Sequence, residues 1–143
     1  MADRQVIADF ARSMGIATSG LRAQAGRIRV ISENIANADS TPANPGSEPY
    51  RRKISTFQTE VDRTLDVKLV ELGKTRTDNS DFRLKYEPGH PAADKNGNVK
   101  YPNVNPLLEM TDMREAQRSY EANINVISAT RRMLQRTIDI LKA

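Results

Sequence analysis

Ile28-Arg29-Val30-Ile31-Ser32-Glu33-Asn34-Ile35-Ala36-Asn37-Ala38-Asp39-Ser40-Thr41-Pro42 decides the architecture. Ile28, Ile31, Ile35 and Ala38 recur at steps of three and four, the spacing of one face of an α-helix. The run then dissolves into Asn37-Ala38-Asp39-Ser40-Thr41-Pro42, turn-favouring residues closed by a proline through which a helix cannot continue. Toward the N-terminus the stripe goes on through Gln24, Leu21, Ala17, Met14, Phe10 and Ile7, with Gln24 its one polar member. A helix from about Arg4 to about Asn37 is therefore expected.

The other end of the chain repeats the pattern. Met113, Gln117, Tyr120, Ile124, Ile127, Arg131, Leu134, Ile138 and Leu141 step by three and four. Asn105 is a good N-cap, and Pro106 suits the first helical position because its missing N–H is not needed there. On the opposite side of this helix gather Ala122, Val126, Ala129, Met133 and Ile140. A helix apolar on two sides needs neighbours on both. The expected fold is mainly α with a small β region, its two long terminal helices paired as a coiled coil. Residues 1–39 supply the N-terminal helix of that inner domain, 40–104 a loop and small β region, and 105–143 the C-terminal helix.

Gly15, Gly20 and Gly26 interrupt the first helix, each costing about 1 kcal/mol relative to Ala. Ala8, Gly15, Ser19, Arg22 and Gly26 share one sector nearly opposite the apolar stripe. That sector either admits a second backbone at close range, as between adjacent subunits, or is a solvent face that tolerates glycine. Asn34, Asn37 and Asn123 lie at or near helix faces and either bond across to a neighbour, fixing register, or, for Asn37, cap the helix end.

Between the helices, residues 40–53 form a Pro-, Gly- and Ser-rich loop ending in Tyr50-Arg51-Arg52-Lys53, which reads either as a phosphate contact or as a basic entry to a strand. Strand character follows over Ile54–Val61, Leu65–Leu72 and Phe82–Tyr86, and a short returning strand over Val99–Tyr101 after the turn dipeptide Asn96-Gly97. These strands are few and polar, and predict a small sheet or hairpin pair against the helices.

Composition narrows the function. Hydrophobic residues make up 38% and aromatics 5%, with no Trp, which disfavours one large globular core. There is no cysteine, so no disulfide framework and no thiolate metal site. The net charge is +4, but the charges alternate in sign along both helices, the pattern of a solvated surface rather than a nucleic-acid footprint. Asp3, Arg4, Asp9 and Arg12 break any apolar signal core, and no run approaches the length of a membrane span. His90, the one histidine, stands between Gly89 and Pro91 without a ligand-spaced partner. Asp94-Lys95-Asn96-Gly97-Asn98 lacks the spacing and closing Glu of a calcium loop. No glycine-rich strand-to-helix turn is present. No enzyme and no cofactor are expected.

Ser32-Glu33-Asn34-Ile35-Ala36-Asn37 resembles the S-x-N-[IL]-A-N signature that closes the first helix in the bacterial flagellar rod and hook family. Tyr101-Pro102-Asn103-Val104-Asn105, Glu109-Met110 and Arg118-Ser119-Tyr120-Glu121-Ala122-Asn123 are similar to that family's C-terminal helix motif. The spacer Thr41–Pro49 before Tyr50, the segment Tyr86-Glu87-Pro88-Gly89-His90-Pro91 and the short middle region resemble the proximal rod branch of the family.

The resemblance implies a structural subunit of the flagellar basal-body rod in the periplasm, a torque-transmitting shaft around an export channel. Its implied partners are copies of itself, other rod proteins, the membrane-ring and adaptor proteins at the rod base, and the flagellar type III export apparatus. Neither nucleic acid nor direct membrane insertion is implied. The residues expected to pack helix on helix or subunit on subunit are Phe10, Met14, Leu21, Ile28, Ile31, Asn34, Ile35, Asn37, Tyr120, Asn123, Ile124, Val126, Ile127, Met133, Leu134, Ile138 and Leu141. Seam burial is smaller than the entropy of ordering such long helices, so the terminal helices are expected to firm up only among neighbours. The alternatives from other classes are a soluble coiled-coil adaptor or export chaperone and a basic helical nucleic-acid binder.

Overall fold

The computed structural model describes residues 2–142, with side chains described from Arg4 onward. The outermost residues of the two expected helical segments, Met1 and Ala143, lie outside the described residues. Helix α1 spans Ala2–Ala36 and helix α2 spans Pro106–Lys142. Six short strands lie between them: β1 (Lys53–Ile54), β2 (Phe57–Asp62), β3 (Val67–Leu72), β4 (Arg76–Thr77), β5 (Arg83–Tyr86) and β6 (Asn98–Tyr101). They pair antiparallel as β1–β4, β2–β3 and β5–β6. The mainly helical fold with paired terminal helices and small hairpins is the one the sequence predicts. The single strand expected over Ile54–Val61 is instead two, because Ser55 and Thr56 break the ladder and the Thr56 hydroxyl donates to the Lys74 carbonyl at 3.0 Å.

The chain forms two compact units, and both helices contribute to each. The first unit holds the chain up to Arg27, residues Phe57–Gly73 and the chain from Glu115 onward. There α1 and α2 run antiparallel: Gly20 lies under the Asn123 amide, and further along α1 Arg27 meets the earlier α2 residue Glu115 at 3.7 Å. A Cβ on Gly20 would stand 3.0 Å from Asn123, so glycine sets the helix spacing at that layer. The buried residues of this unit are small: Ala17, Ala23, Ala116 and Thr130.

The β2–β3 hairpin covers the other side of α1 in this unit. Its turn is set by the Asp62 carboxylate, which accepts the Thr64 and Leu65 amides at 2.8 and 3.1 Å, and by Asp66 at φ 53°. Leu65 reaches Gly15, and Leu72 reaches Gly26, where a Cβ would lie 2.6 Å from the leucine Cδ2. The Val70 amide donates to Ser19 Oγ at 3.2 Å, and Arg12 Nε donates to the Leu65 carbonyl at 2.9 Å. The small-residue sector of α1 is thus occupied by the chain's own hairpin, which corrects the expectation that Gly15 and Gly26 meet an adjacent subunit.

The second unit holds Ile28–Thr56 and Lys74–Arg114. Val30, Ile31, Ala38, Ala92, Val99 and Val104 form its apolar core. The end of α1 is tied off by Asn37, whose amide donates to the Glu33 carbonyl at 2.8 Å, and by Arg83, which donates to the carbonyls of Ala38 and Pro102 at 2.7 and 3.0 Å. The start of α2 is capped as read: the Leu107 amide donates to Asn105 Oδ1 at 3.1 Å, with Pro106 at the first helical position. Gly97, at φ 80°, closes the β5–β6 connection, and Asp94 Oδ1 accepts the Asn96 and Asn98 amides at 2.8 and 2.9 Å. That turn is built from backbone donors rather than as a cation loop, and no group of three or more metal-ligating side chains converges among the described residues.

Candidate assembly surface

Asn34 is the centre of a polar lock in the second unit. It is 1% exposed and every hydrogen-bonding site on its amide is used. Nδ2 donates to the Lys53 carbonyl at 2.8 Å and to Glu109 Oε2 at 3.0 Å, while Oδ1 accepts the Tyr50 hydroxyl and the Lys53 amide, both at 2.9 Å. Glu109, also 1% exposed, takes Arg52 Nε on its other oxygen at 2.5 Å. Asp78 and Asp112 stand 3.7 and 3.8 Å from the same guanidinium. Asn103 accepts the Arg52 amide at 2.7 Å and donates to the carbonyls of Asp78 and Ser80 at 3.0 and 3.2 Å. One asparagine on α1 therefore fixes the loop before β1 and the first turn of α2 together.

The basic run 50–53 is neutralised inside the chain. Arg51 pairs with Glu48 and lies over the Phe82 ring at 4.2 Å, Arg52 meets Glu109, and Lys53 bonds Glu33 at 2.8 Å. Burial raises the Tyr50 phenol above its usual pKa, and the bond to Glu33 holds the Lys53 ammonium charged above its own. Of the two readings of Tyr50–Lys53, the strand entry fits this geometry. His90 accepts the Ala92 amide at Nδ1, 3.0 Å away, and its Nε2 stands 3.4 Å from Thr41 Oγ1, so it ties two loops of this unit.

On α2 the inward stripe differs from the one read at alternate layers. Tyr120, Ile127 and Leu134 are half-buried, but their intervening partners are Ala116, Asn123 and Thr130 rather than Gln117, Ile124 and Arg131, and at the next layer Thr137 and Ile138 are both half-buried. The seam is shifted by one residue there, and Ile124 falls on its exposed flank. Asn123 is in the seam, its amide donating to the Ser119 carbonyl at 3.0 Å and covering Gly20. On α1, Ile31 is buried, while Phe10, Met14, Leu21, Ile28 and Ile35 are half-buried. Near the helix ends of the first unit, Val6, Ile7, Leu134, Thr137, Ile138 and Leu141 line an apolar cleft of about 280 Å³.

A second stripe on α2 is exposed among the described residues. Val126, Met133 and Ile140, spaced by seven, are 44%, 50% and 76% exposed. Large apolar side chains in a row on an exposed helix face make a surface for association.

The comparisons with known proteins agree. Residues 14–42 match the family model described as flagella basal body rod protein, and residues 95–140 match that of the flagellar basal body rod FlgEFG protein C-terminal region. The flagellar basal-body rod protein FlgC of Agrobacterium fabrum is 56% identical over 128 residues, covering 90% of this chain and 92% of its own. The chain belongs to the FlgC family of flagellar basal-body rod proteins. FlgC of Bacillus subtilis is 37% identical over 91% of this chain and 97% of its own, and FlgC of Salmonella typhimurium 39% identical over 87% and 92%.

The family is structural and non-enzymatic, its members are components of the basal-body rod, and membership implies assembly with other rod subunits. For this FlgC-family chain the matched segments contain both halves of the polar lock's helix pair, Asn34 and Glu109. Sequence reasoning singled out Asn34 but missed the central roles of Glu109, Arg52 and Asn103. The signal was present in the sequence: a glutamate one turn into an amphipathic helix, on its inward stripe, must find a cation there.

Proposed function

We propose that this chain is a proximal rod subunit that polymerises through its terminal helices into a torque-transmitting shaft around an export channel. The observation that carries this reading is the uncovered α2 stripe of Val126, Met133 and Ile140, which continues beside a seam already filled by α1. In an inner domain made from residues 1–39 and 105–143, Phe10, Met14 and Leu21 on α1 pair with Tyr120, Ile127, Leu134, Ile138 and Leu141 on α2, and Ile28, Ile31 and Ile35 continue the α1 stripe. Ile124, Val126 and Met133 take contacts with neighbours, and residues 40–104 set subunit spacing. Asn34, Asn37 and Asn123 act within the chain, holding helix ends and register so that the outer stripe is presented in one geometry.

Partners in this reading are copies of the chain, other rod proteins, and the membrane-ring and adaptor proteins at the rod base. Secretion proceeds unfolded through the flagellar type III export apparatus. The small residues buried between helices in the first unit make the ends weak alone, and association restores stability by mass action. No helix among the described residues is long and apolar enough to cross a membrane.

Fractionating cells tests the reading: the chain co-purifies with hook–basal bodies, and its absence from them contradicts it. Circular dichroism with light scattering separates the adaptor alternative, which requires a discrete, fully helical dimer in dilute solution. A salt-sensitive DNA gel shift would favour the nucleic-acid alternative.

A further inference from the structure

The hairpin of the first unit meets α1 along one edge and turns the other outward. The β3 edge is taken by Ser19 through the Val70 amide, while β2, from Phe57 to Asp62, has no second strand beside it among the described residues. By alternation, Phe57 and Val61 flank that free edge on one face of the hairpin, and Glu60 and Asp62 on the other. Phe57 and Val61 are exposed. Glu60 lies against Glu71 across the ladder, a contact between two carboxyls that raises the Glu60 pKa. From residue 57 to 73 there are four carboxylates, Glu60, Asp62, Asp66 and Glu71, against Arg63 and Lys68.

The same unit carries the opposite pattern on α2. From residue 122 to 142 the cations are Arg131, Arg132, Arg136 and Lys142, against Asp139 alone. Arg136 stands one turn from both Met133 and Ile140, beside the uncovered apolar stripe. The hairpin is pinned to α1 at Gly15, Ser19 and Gly26, and the stripe on its own α2 stays exposed. The two surfaces therefore match in charge and in apolar content without meeting in one chain.

We propose that the outer edge of β2 in one copy docks on the arginine-flanked α2 stripe of a second copy, with Arg132 and Arg136 meeting Glu60 and the free β2 carbonyls while Phe57 and Val61 cover Met133. Two different patches meet in this contact, so it is heterologous and repeats without closing on a pair, as a growing shaft requires. Its charged part sets register, because a copy slid along α2 would part Glu60 from Arg132 and Arg136. The proposal rests on the rod reading and adds which surfaces of two copies meet.

The test uses whole cells in which the variant chain replaces the original. The chain has no cysteine, so Val61→Cys with Met133→Cys introduces the thiols that a short bismaleimide can join. In purified hook–basal bodies the double variant gives a ladder of covalent dimers and higher oligomers, and each single variant gives none. Glu60→Arg and Arg136→Glu each lower swimming by at least about tenfold, and the two together restore it. Rods that contain the chain but show neither the cross-link nor the rescue overturn the proposal and leave the rod reading standing. A dimer from Val61→Cys alone also overturns it, in favour of strand-to-strand pairing of two β2 edges. Hook–basal bodies that lack the unaltered chain overturn both.

Discussion

Asn34 Nδ2 donates to Glu109 Oε2 at 3.0 Å, joining the end of α1 to the start of α2 through two side chains that are each 1% exposed. The bond is one edge of a closed network, since Asn34 also holds Tyr50 and Lys53 and Glu109 also holds Arg52. A buried network of this kind is favourable only while every member is satisfied.

Removing one member leaves a buried charge or amide without its partner. Asn34→Ala and Glu109→Ala should each destabilise the fold by about 2–4 kcal/mol, read by urea unfolding of the purified chain. Their double variant should lose less than the sum, because each single change already opens the same network. Full additivity would show that the two side chains do not cooperate.

Gly26→Ala carries two opposed effects. Alanine favours the helix by about 1 kcal/mol, but its Cβ would stand 2.6 Å from Leu72 Cδ2 and push the hairpin. The leucine tip can turn away, so the alanine variant should change stability by less than about 1 kcal/mol. Gly26→Val adds bulk that the tip cannot clear, and should speed hydrogen exchange of the Val70 amide, which the hairpin contact with Ser19 protects. Unchanged exchange at Val70 would contradict the hairpin's seat on α1.

The two carboxylates with opposite shifts predict opposite pH responses. Asp78 is held below its usual pKa first by the Ser80 backbone amide and then by the Ser80 side chain. Its stabilising contribution is complete above the ordinary aspartate value of about 3.9 and is lost as pH falls through its lower folded value. Glu60 is raised by its contact with Glu71, so its ionised form disfavours the hairpin, and that penalty disappears as pH falls through the raised value. Below about pH 4, unfolding measurements should show the second unit losing stability, and Asp78→Asn should flatten that loss. Glu71→Gln should remove the pH response of the hairpin, followed by amide shifts over Val67–Leu72.

Asn105→Ala removes the side-chain acceptor for the Leu107 amide and should cost about 1 kcal/mol. Asn105→Asp or Asn105→Ser should retain most of the stability in the same unfolding experiment, whereas a loss equal to alanine's would exclude the capping role.

Both long helices, the Asn105 cap and the Asn96-Gly97 turn were legible because each depends on local chemistry: periodicity, a capping oxygen, a glycine at φ 80°. The α2 seam was misread at three layers, Gln117, Ile124 and Arg131. Ile124 is the more apolar candidate beside Asn123, yet Asn123 sits over Gly20 because a glycine on the facing helix makes room for an amide there. That choice depends on the partner helix and cannot be made from α2 alone. The same limit hid what covers Gly15 and Gly26: the sector showed that something comes close, while Leu65 and Leu72, some 50 and 46 residues away, are visible only after the chain turns back.

Val126→Asp tests the central claim most directly, because it places a carboxylate in the exposed α2 stripe and leaves the polar lock and the helix seam untouched. With the variant as the sole copy, the account predicts normal secretion of the chain, no completed rods in hook–basal-body preparations and no swimming. Normal swimming with intact rods would contradict it.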